Sequence, residues 1–403
     1  MEKEVYEIGE DIPLGVIPKL MYAVTLREER FGEPKDSMKI EKVDVPNNLD
    51  DYEVLVKIKT AGINHNVIWA GRGTPLNVIQ NCKKLDNDVR DYFIPGSDGA
   101  GIVWKTGNKV TNVKVGDEII LQSGYLGKEK EIINKEEVPN IRAWGYEVNG
   151  GTLAQFTKVQ AYQCIKKPKT LSWEEAGSCL VGAATSYRML CHWKPNDVKE
   201  NDPVLIWGGA SGIGSMAIQI AKMKKAKPIA VVSSQDKAEY CMSIGAVGTI
   251  NRNEFDFWGK MPDINDIENF NKWRQHVKNF RNKFFEVLGE KKSPMIVYEH
   301  PGENTFSTSL AVVDKFGMVV TCGGTSGYYG NFDLRQLWVY QKRIQGSHFA
   351  SLEECKEVIR LMGERKIEPC VGKKYRFKDS VVAHQDMAEN KHLGGNGVII
   401  FDK

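Results

Sequence analysis

The sequence predicts an α/β protein in two parts, a β-rich region followed by a doubly wound parallel sheet, on three observations. The run from Val204 to Lys224, VLIWGGASGIGSMAIQIAKMK, reads as strand, glycine turn and helix without a break. Beyond it, short apolar runs alternate with stretches of helical period, the order that a parallel sheet with crossover helices requires. Ahead of it, short β-branched runs are separated by turn residues, as in a mixed sheet or small barrel.

In the first region Tyr22–Leu26 and Tyr52–Lys59 alternate or cluster apolar and β-branched residues and are expected as strands. Between Gly62 and Gly73, GINHNVIWAGRG sets two asparagines and a histidine among apolar residues and invites a site. Phe93–Val103 is a turn leading into a strand, and Val110–Leu121 turns at Gly116-Asp117 before another, so the region is expected to be all-β. The charged stretch from Tyr125 to Pro139 is expected as a surface insertion. Trp144–Gly151 gathers aromatics, an acid and glycines before the strand-like Leu153–Val159. After Pro168 the pattern turns helical, with Ser172 as N-cap and Glu175 three residues on, a capping box. The expected division is 1–188, 189–346 and a returning C-terminal segment, 347–403.

The second part begins with the apolar run Val204–Trp207. Gly209, Ala210, Ser211, Gly212, Ile213 and Gly214 then form a G-x-x-G-x-G turn, and Met216, Ile218, Ile220, Ala221 and Met223 follow with helical period. Such a turn gathers backbone N–H groups and a helix N-terminus at one point, where a pyrophosphate is stabilised. The competing reading is an ordinary glycine-rich turn; the strand and helix on either side favour the phosphate-binding one. Further strands are expected at Pro228–Val232, Gly248–Ile250, Met295–Tyr298, Gly317–Thr321 and Ile344–Ser347, and helices at Gln235–Ile244, Trp273–Leu288 and Thr305–Val313.

The end of the second strand selects the dinucleotide, since an acid there holds a ribose 2′-OH. This chain has Ser233 and Ser234, with Lys237 close behind, which suits a 2′-phosphate and hence NADPH. Asp236 is the rival, expected instead to begin the helix. The alternative, that Ser234 only caps the helix and Lys237 is a solvated charge, stays open.

A net charge of +3 with interspersed signs gives no basic face for nucleic acid, and no apolar run is long enough for a bilayer. Eight cysteines without C-x-x-C pairing are expected to be reduced. The charged opening residues lack the apolar core of a secretory signal, and a cytoplasmic protein is expected.

These features together resemble the medium-chain dehydrogenase/reductase superfamily, in which a GroES-like catalytic domain embraces a Rossmann domain. Within it, Asn64–Trp69, Gly96-Ser97-Asp98, Trp144–Glu147, Val232–Ser234, Ile250–Asn253, Glu299–Gly302, Thr325–Tyr328 and Lys342–Ala350 are similar to crotonyl-CoA carboxylase/reductases and related enoyl-CoA reductases. The resemblance implies hydride transfer from NADPH to the β-carbon of an α,β-unsaturated thioester such as acryloyl-CoA or crotonyl-CoA. The resulting enolate is either protonated or carboxylated by CO2. It further implies Asn66 as an amide donor, Glu147 as the acid that orients a water, His348 on that water or on CO2, and Tyr146 lining the pocket. The carboxylases of the family carry Phe in place of Tyr146. Taken without the resemblance, Asn66, Glu147 and His348 read equally as buried structural polar residues. Arg252 and His300 are implied at the cofactor, and Arg274 and Arg335 at the CoA phosphates, or else as solvated helix charges.

Zinc relatives carry Gly-His-Glu where this chain has Gly96-Ser97-Asp98, so no metal is expected; the adjacent Cys191 and His192 are read as a helix end. The resemblance suggests a homodimer or homotetramer. Reduction is the leading reading of function, reductive carboxylation the second, and a cofactor-binding protein without turnover the third.

Overall fold

The structure, a computed structural model, describes residues 3–129, 141–391 and 393–402. The sheet of the first domain is organised on Glu53–Gly62, whose Val54, Leu55, Val56 and Ile58 are almost wholly buried. Its antiparallel neighbours are Gly99–Thr106, Phe156–Gln160 and, from the far end of the chain, Asn396–Ile400. Val371–Arg376 extends the sheet beyond Asn396–Ile400, so the returning segment is covalently last but structurally part of the first domain. Glu118–Leu121 and Cys164–Lys166 complete the other side.

Two helices interrupt this β region, His65–Arg72 and Val78–Asp86, where none was expected. Each ends on a left-handed residue, Gly73 (φ 66°) and Asn87 (φ 51°), and the second begins with Asn77 accepting from Gln80 N. These caps are the legible signal, because segments so short show little period. The capping box at Ser172 forms as expected at the start of Trp173–Ser178. Most of the expected charged insertion, 130–139, lies outside the described residues; its near end, Gly124–Tyr125, pairs with Arg142–Ala143.

The second sheet is parallel throughout, in the order Gly248–Asn251, Lys227–Val232, Pro203–Trp207, Ile296–Glu299, Met318–Thr321, Arg343–Gly346. The chain reverses its direction of travel across the sheet at Pro203–Trp207, so the crevice at the carboxyl end of that strand is where a ligand binds in such folds. The long charged stretch after Asn251 contributes helix Ile267–Leu288. Its Trp273, Val277, Phe280 and Phe284 are buried on the sheet, with Phe280 stacked on Trp207 at 5.5 Å. Helix Leu180–Cys191 crosses the expected boundary at 188 and packs on helix Gly212–Met223. All eight cysteines are unpaired thiols. No helix among the described residues is long and apolar enough to cross a membrane.

The two sheets meet at the glycine turn. Gly395 N donates to Ala210 O at 3.1 Å, and a Cβ on Gly212 would come within 2.3 Å of Asn396 Oδ1. Only glycine at 212 lets the returning segment sit this close to the turn.

Candidate active site

The glycine turn is folded onto its own strand. Gly208 has φ 56°, and a Cβ on Gly214 would lie 2.3 Å from Gly208 O. Ser211 Oγ accepts from Gly214 N and caps the helix, leaving the surrounding N–H groups and the helix N-terminus at the crevice. His300, at the end of the neighbouring strand, places Nε2 3.0 Å from Trp207 O. Burial pushes its imidazole down to about 4, so at neutral pH it is uncharged and Nε2–H is the donor. A Cβ on Gly208 would meet that nitrogen at 2.7 Å, which puts His300 against the turn.

At the end of Lys227–Val232, Ser234 Oγ accepts from Lys237 N at 3.4 Å and caps helix Gln235–Ile244, as the structural reading of Ser234 had it. Asp236 lies in the first turn of that helix, exposed. Ser233 O accepts from Asn253 Nδ2 at 2.9 Å, which ties the strand end to the turn carrying Arg252. Lys237 Nζ donates to Asn390 Oδ1 of the returning segment at 3.1 Å. Burial and the nearby Arg252 guanidinium both hold the Lys237 ammonium below its ordinary pKa. Two cations that repel each other fit a dianionic phosphate. NADPH therefore fits the crevice better than NADH.

Facing the turn from the first domain is a polar group built by three separate segments. Helix His65–Arg72 carries Asn66 and, one turn on, Trp69, whose ring centroid is 6.4 Å from that of Tyr146. Trp69 also reaches across to Gly323, beyond strand Met318–Thr321. Tyr146 and Glu147 sit on a tight turn in which Glu147 N donates to Ala143 O (2.6 Å) while Glu147 Oε2 accepts from Ala143 N (2.6 Å). His348 follows the last parallel strand, exposed, with Nε2 3.4 Å from Glu147 Oε2. Burial pushes the Glu147 carboxyl up, but the His348 and Ala143 N–H contacts and Arg142 outweigh it and hold the group below its ordinary value. Burial pushes the Tyr146 phenol up, reinforced by Glu147, so it is a neutral donor at all working pH. Three buried atoms around these segments have no partner among the described residues, Asn66 Oδ1, Ser123 Oγ and Ser347 Oγ. Orphaned polar atoms are rare in protein interiors, and these three lie on Asn66 itself, on Ser123, whose carbonyl accepts from Trp144 N, and on Ser347, next to His348.

Several supporting residues were not assigned from the sequence. Asn81 Nδ2 and Cys82 Sγ both donate to Glu147 O, at 3.2 and 3.5 Å, so the unforeseen helix Val78–Asp86 buttresses the acid. Arg274 and Arg335 are not brought to this cleft. Arg335 is exposed and donates to Asp333 through Nε and Nη2. Arg274 lines a cavity of about 830 Å³ with Lys278, Arg281 and Lys342, toward the edge where the parallel strands begin. His192 ends helix Leu180–Cys191 and bonds Glu354 at 2.8 Å, a structural role.

The donor set does not fit a catalytic zinc. Asp98 Oδ1 accepts from Val181 N at 2.7 Å and its Oδ2 from Asn64 Nδ2 at 3.1 Å, so the carboxylate faces the N-terminus of helix Leu180–Cys191. No three His, Cys, Asp or Glu side chains converge on a metal position among the described residues. Burial pushes the Asp98 carboxyl up to about 7 from an ordinary 3.8, against the pull of these hydrogen bonds. Between those values the folded chain keeps a proton that the unfolded chain releases, so stability falls as pH rises from about 4 to about 7. Thermal melts of Asp98→Asn and wild type at pH 5 and pH 8 should show the variant gaining on wild type at the higher pH, on the order of a few kcal/mol. A constant difference would show that Asp98 carries no such shift.

Two family models match the chain, an alcohol dehydrogenase GroES-like domain over residues 50–169 and a zinc-binding dehydrogenase over 212–364. The crotonyl-CoA carboxylase/reductase of Cereibacter sphaeroides is 43% identical over 402 residues, 99% of this chain and 92% of the relative. The chain belongs to the crotonyl-CoA carboxylase/reductase family. A crotonyl-CoA reductase of Streptomyces collinus is 36% identical, covering 92% of this chain and 83% of its own. Among solved structures, crotonyl-CoA carboxylase/reductase AntE in complex with NADP superposes with a TM-score of 0.91 at 44% identity, covering 99% and 98% of the two chains. The 2-octenoyl-CoA carboxylase reductase CinF in complex with NADP and 2-octenoyl-CoA gives 0.85 at 31%, covering 95% and 88%. Family membership thus sits on a fold of the medium-chain dehydrogenase/reductase kind.

Proposed function

We propose that the protein is an NADPH-dependent enoyl-CoA reductase that adds hydride to the β-carbon of a short-chain 2-enoyl-CoA, acryloyl-CoA or crotonyl-CoA, and passes the enolate to CO2 or to a proton. The observation that supports this reading is the 3.4 Å contact of His348 with Glu147, next to Tyr146 and its neighbour Trp69, in a chain of this family. Bound NADPH supplies the hydride. The glycine turn, Lys237 and Arg252 hold its phosphates, and His300 braces the turn without carrying charge. Asn66 offers a neutral donor, which polarises CO2 without protonating the enolate. Glu147, ionised and bonded to Ala143 N, orients a water or His348.

Tyr146 favours a second outcome at the same site. Its hydroxyl stands where the family's carboxylases have Phe, and a neutral phenol at the rim supplies a proton, giving the saturated acyl-CoA. In this reading Arg274 and Arg335, which lie away from the cleft of their own subunit, would meet the CoA phosphates only across a subunit contact. A homodimer or homotetramer is part of the reading, supported by the exposed Tyr328, Tyr329, Leu334 and Trp338 near the edge strand Arg343–Gly346. A cytoplasmic location is supported by the eight unpaired thiols.

The test is NADPH oxidation with enoyl-CoA esters of three to eight acyl carbons, in CO2-free buffer and in ¹³C-bicarbonate with carbonic anhydrase. Oxidation with the shortest esters and label in a 2-carboxyacyl-CoA are expected. No oxidation with any ester would leave a cofactor-binding protein without turnover; oxidation without label would leave a reductase.

A further inference from the structure

Arg252 opens a single 3-10 turn, Arg252–Glu254, directly after strand Gly248–Asn251. All three residues of the turn are exposed, so its position is set by the bonds that tie it to the fold and not by a packed core. Two side chains supply such bonds. Asn251 pairs with Val232 on the adjacent strand, and beyond that last pair Asn253 Nδ2 donates to Ser233 O at 2.9 Å. From the other side Trp258 Nε1 donates to Arg252 O at 3.2 Å, on a carbonyl that also accepts from Phe255 N at 3.3 Å. Asn253 is exposed, and water competes for its bond. Trp258 is half-buried, and its indole meets the rings of Trp207, His276 and Phe280 edge-on at 5.4, 4.6 and 5.7 Å. His276 and Phe280 belong to helix Ile267–Leu288, and Trp207 ends the strand that leads into the glycine turn. Trp207 is itself fixed, because its Nε1 donates to Ser309 Oγ at 2.8 Å. An indole packed against three other rings has few orientations open to it, so the Trp258 N–H is a rigid donor.

We propose that Trp258 is a positioning residue for cofactor choice, holding the Arg252 turn beside Lys237 so that both cations serve one 2′-phosphate. The proposal rests on the reading above that gives Lys237 and Arg252 to that phosphate. A guanidinium binds a phosphate through a planar fork of N–H donors, which requires the base of its side chain to stand in the right place. Lys237 reaches its position from helix Gln235–Ile244 and from Asn390, independently of Trp258. Loss of the indole N–H therefore weakens the Arg252 contribution and spares that of Lys237. NAD has no 2′-phosphate and does not feel the change.

The test is isothermal titration calorimetry with NADP+ and with NAD+, which reads dissociation constants without any enoyl-CoA turnover. It compares wild type, Trp258→Phe, Arg252→Ala and the double variant, with thermal midpoints measured alongside. Trp258→Phe keeps an aromatic ring in the stack and removes the N–H. It should weaken NADP+ about fivefold, the scale of one oriented hydrogen bond, and leave NAD+ unchanged. Arg252→Ala should weaken NADP+ at least as much. In the Arg252→Ala background Trp258→Phe should cost nothing further, because two residues that act through one contact are not additive. If Trp258→Phe does not fold, Trp258→Tyr, a larger ring that still lacks a donor at the Nε1 position, takes its place with the same expected result. A loss shared equally by NADP+ and NAD+ marks a purely structural role and overturns the proposal, as does a full loss that persists in the Arg252→Ala background. Unchanged NADP+ affinity in Trp258→Phe, with Arg252→Ala weakened, overturns the positioning role alone. Unchanged NADP+ affinity in Arg252→Ala overturns the placing of Arg252 at the phosphate and this proposal together.

Discussion

Lys237→Ala should raise the KM for NADPH roughly tenfold to a hundredfold and leave the use of NADH little changed. A charge-assisted contact to a phosphate contributes about 1.5–3 kcal/mol, and each 1.4 kcal/mol is a factor of ten. The ammonium is part-buried and held below its ordinary pKa by burial and Arg252, so solvent screens less of what it gives to a phosphate than at an open surface. Removing Arg252 as well should deepen the loss, since the two cations serve one ligand; Arg252→Ala alone, from an exposed position, should cost less. The Ser234 hydroxyl is committed to the helix cap, so Ser234→Ala should show chiefly as lost stability. Steady-state kinetics with both nucleotides decides the matter, and an unchanged NADPH/NADH preference in Lys237→Ala would remove Lys237 from the site.

Glu147→Ala and His348→Asn should alter the fate of the enolate more than the binding of NADPH. The two side chains lie 3.4 Å apart on segments 201 residues apart in the chain, and neither is bonded to Lys237 or the glycine turn among the described residues. Taking away Glu147 strips His348 of its partner and frees Ala143 N, and an unsatisfied buried polar group costs about 1–3 kcal/mol. The partition between carboxylated and reduced product, or the stereochemistry of α-protonation, should therefore move by roughly five- to a hundredfold. Product analysis in saturating bicarbonate against CO2-free deuterated buffer reads both. Ratios and stereochemistry identical in wild type and both variants would return Glu147 and His348 to a structural role.

The parallel sheet was legible because each of its units is local. Strand Pro203–Trp207, the glycine turn and helix Gly212–Met223 are contiguous, and their apolar period, glycines and cap all act within a few residues. Helix Gln235–Ile244 and the capping box at Ser172 were legible for the same reason. The short helices His65–Arg72 and Val78–Asp86 were not, since fewer than three turns leave little periodic signal inside a region of strands. Likewise the helix start at Ile267, marked by the Asp266 cap, lies six residues before the first position that the apolar pattern exposes.

The site divides along the same line. The sequence by itself determined the strand, glycine turn and helix, and the serines at the end of the second strand, because both are fixed by the residue types at one place in the chain. Resemblance to a family named Asn66, Glu147 and His348, yet nothing local in the chain says that they meet. Only the tertiary structure decided that His348 reaches Glu147 from 201 residues away, that Asn390 holds Lys237 across 153, and that Ser97 holds Asn66. It also decided that Arg274 and Arg335 stand outside the cleft. The physical reason is that such contacts are set by the closure of the C-terminal strand Asn396–Ile400 onto Glu53–Gly62 and by the packing of glycines at 212 and 395. These are long-range events whose energy comes from burial across the whole fold, and no periodicity of neighbouring residues encodes them.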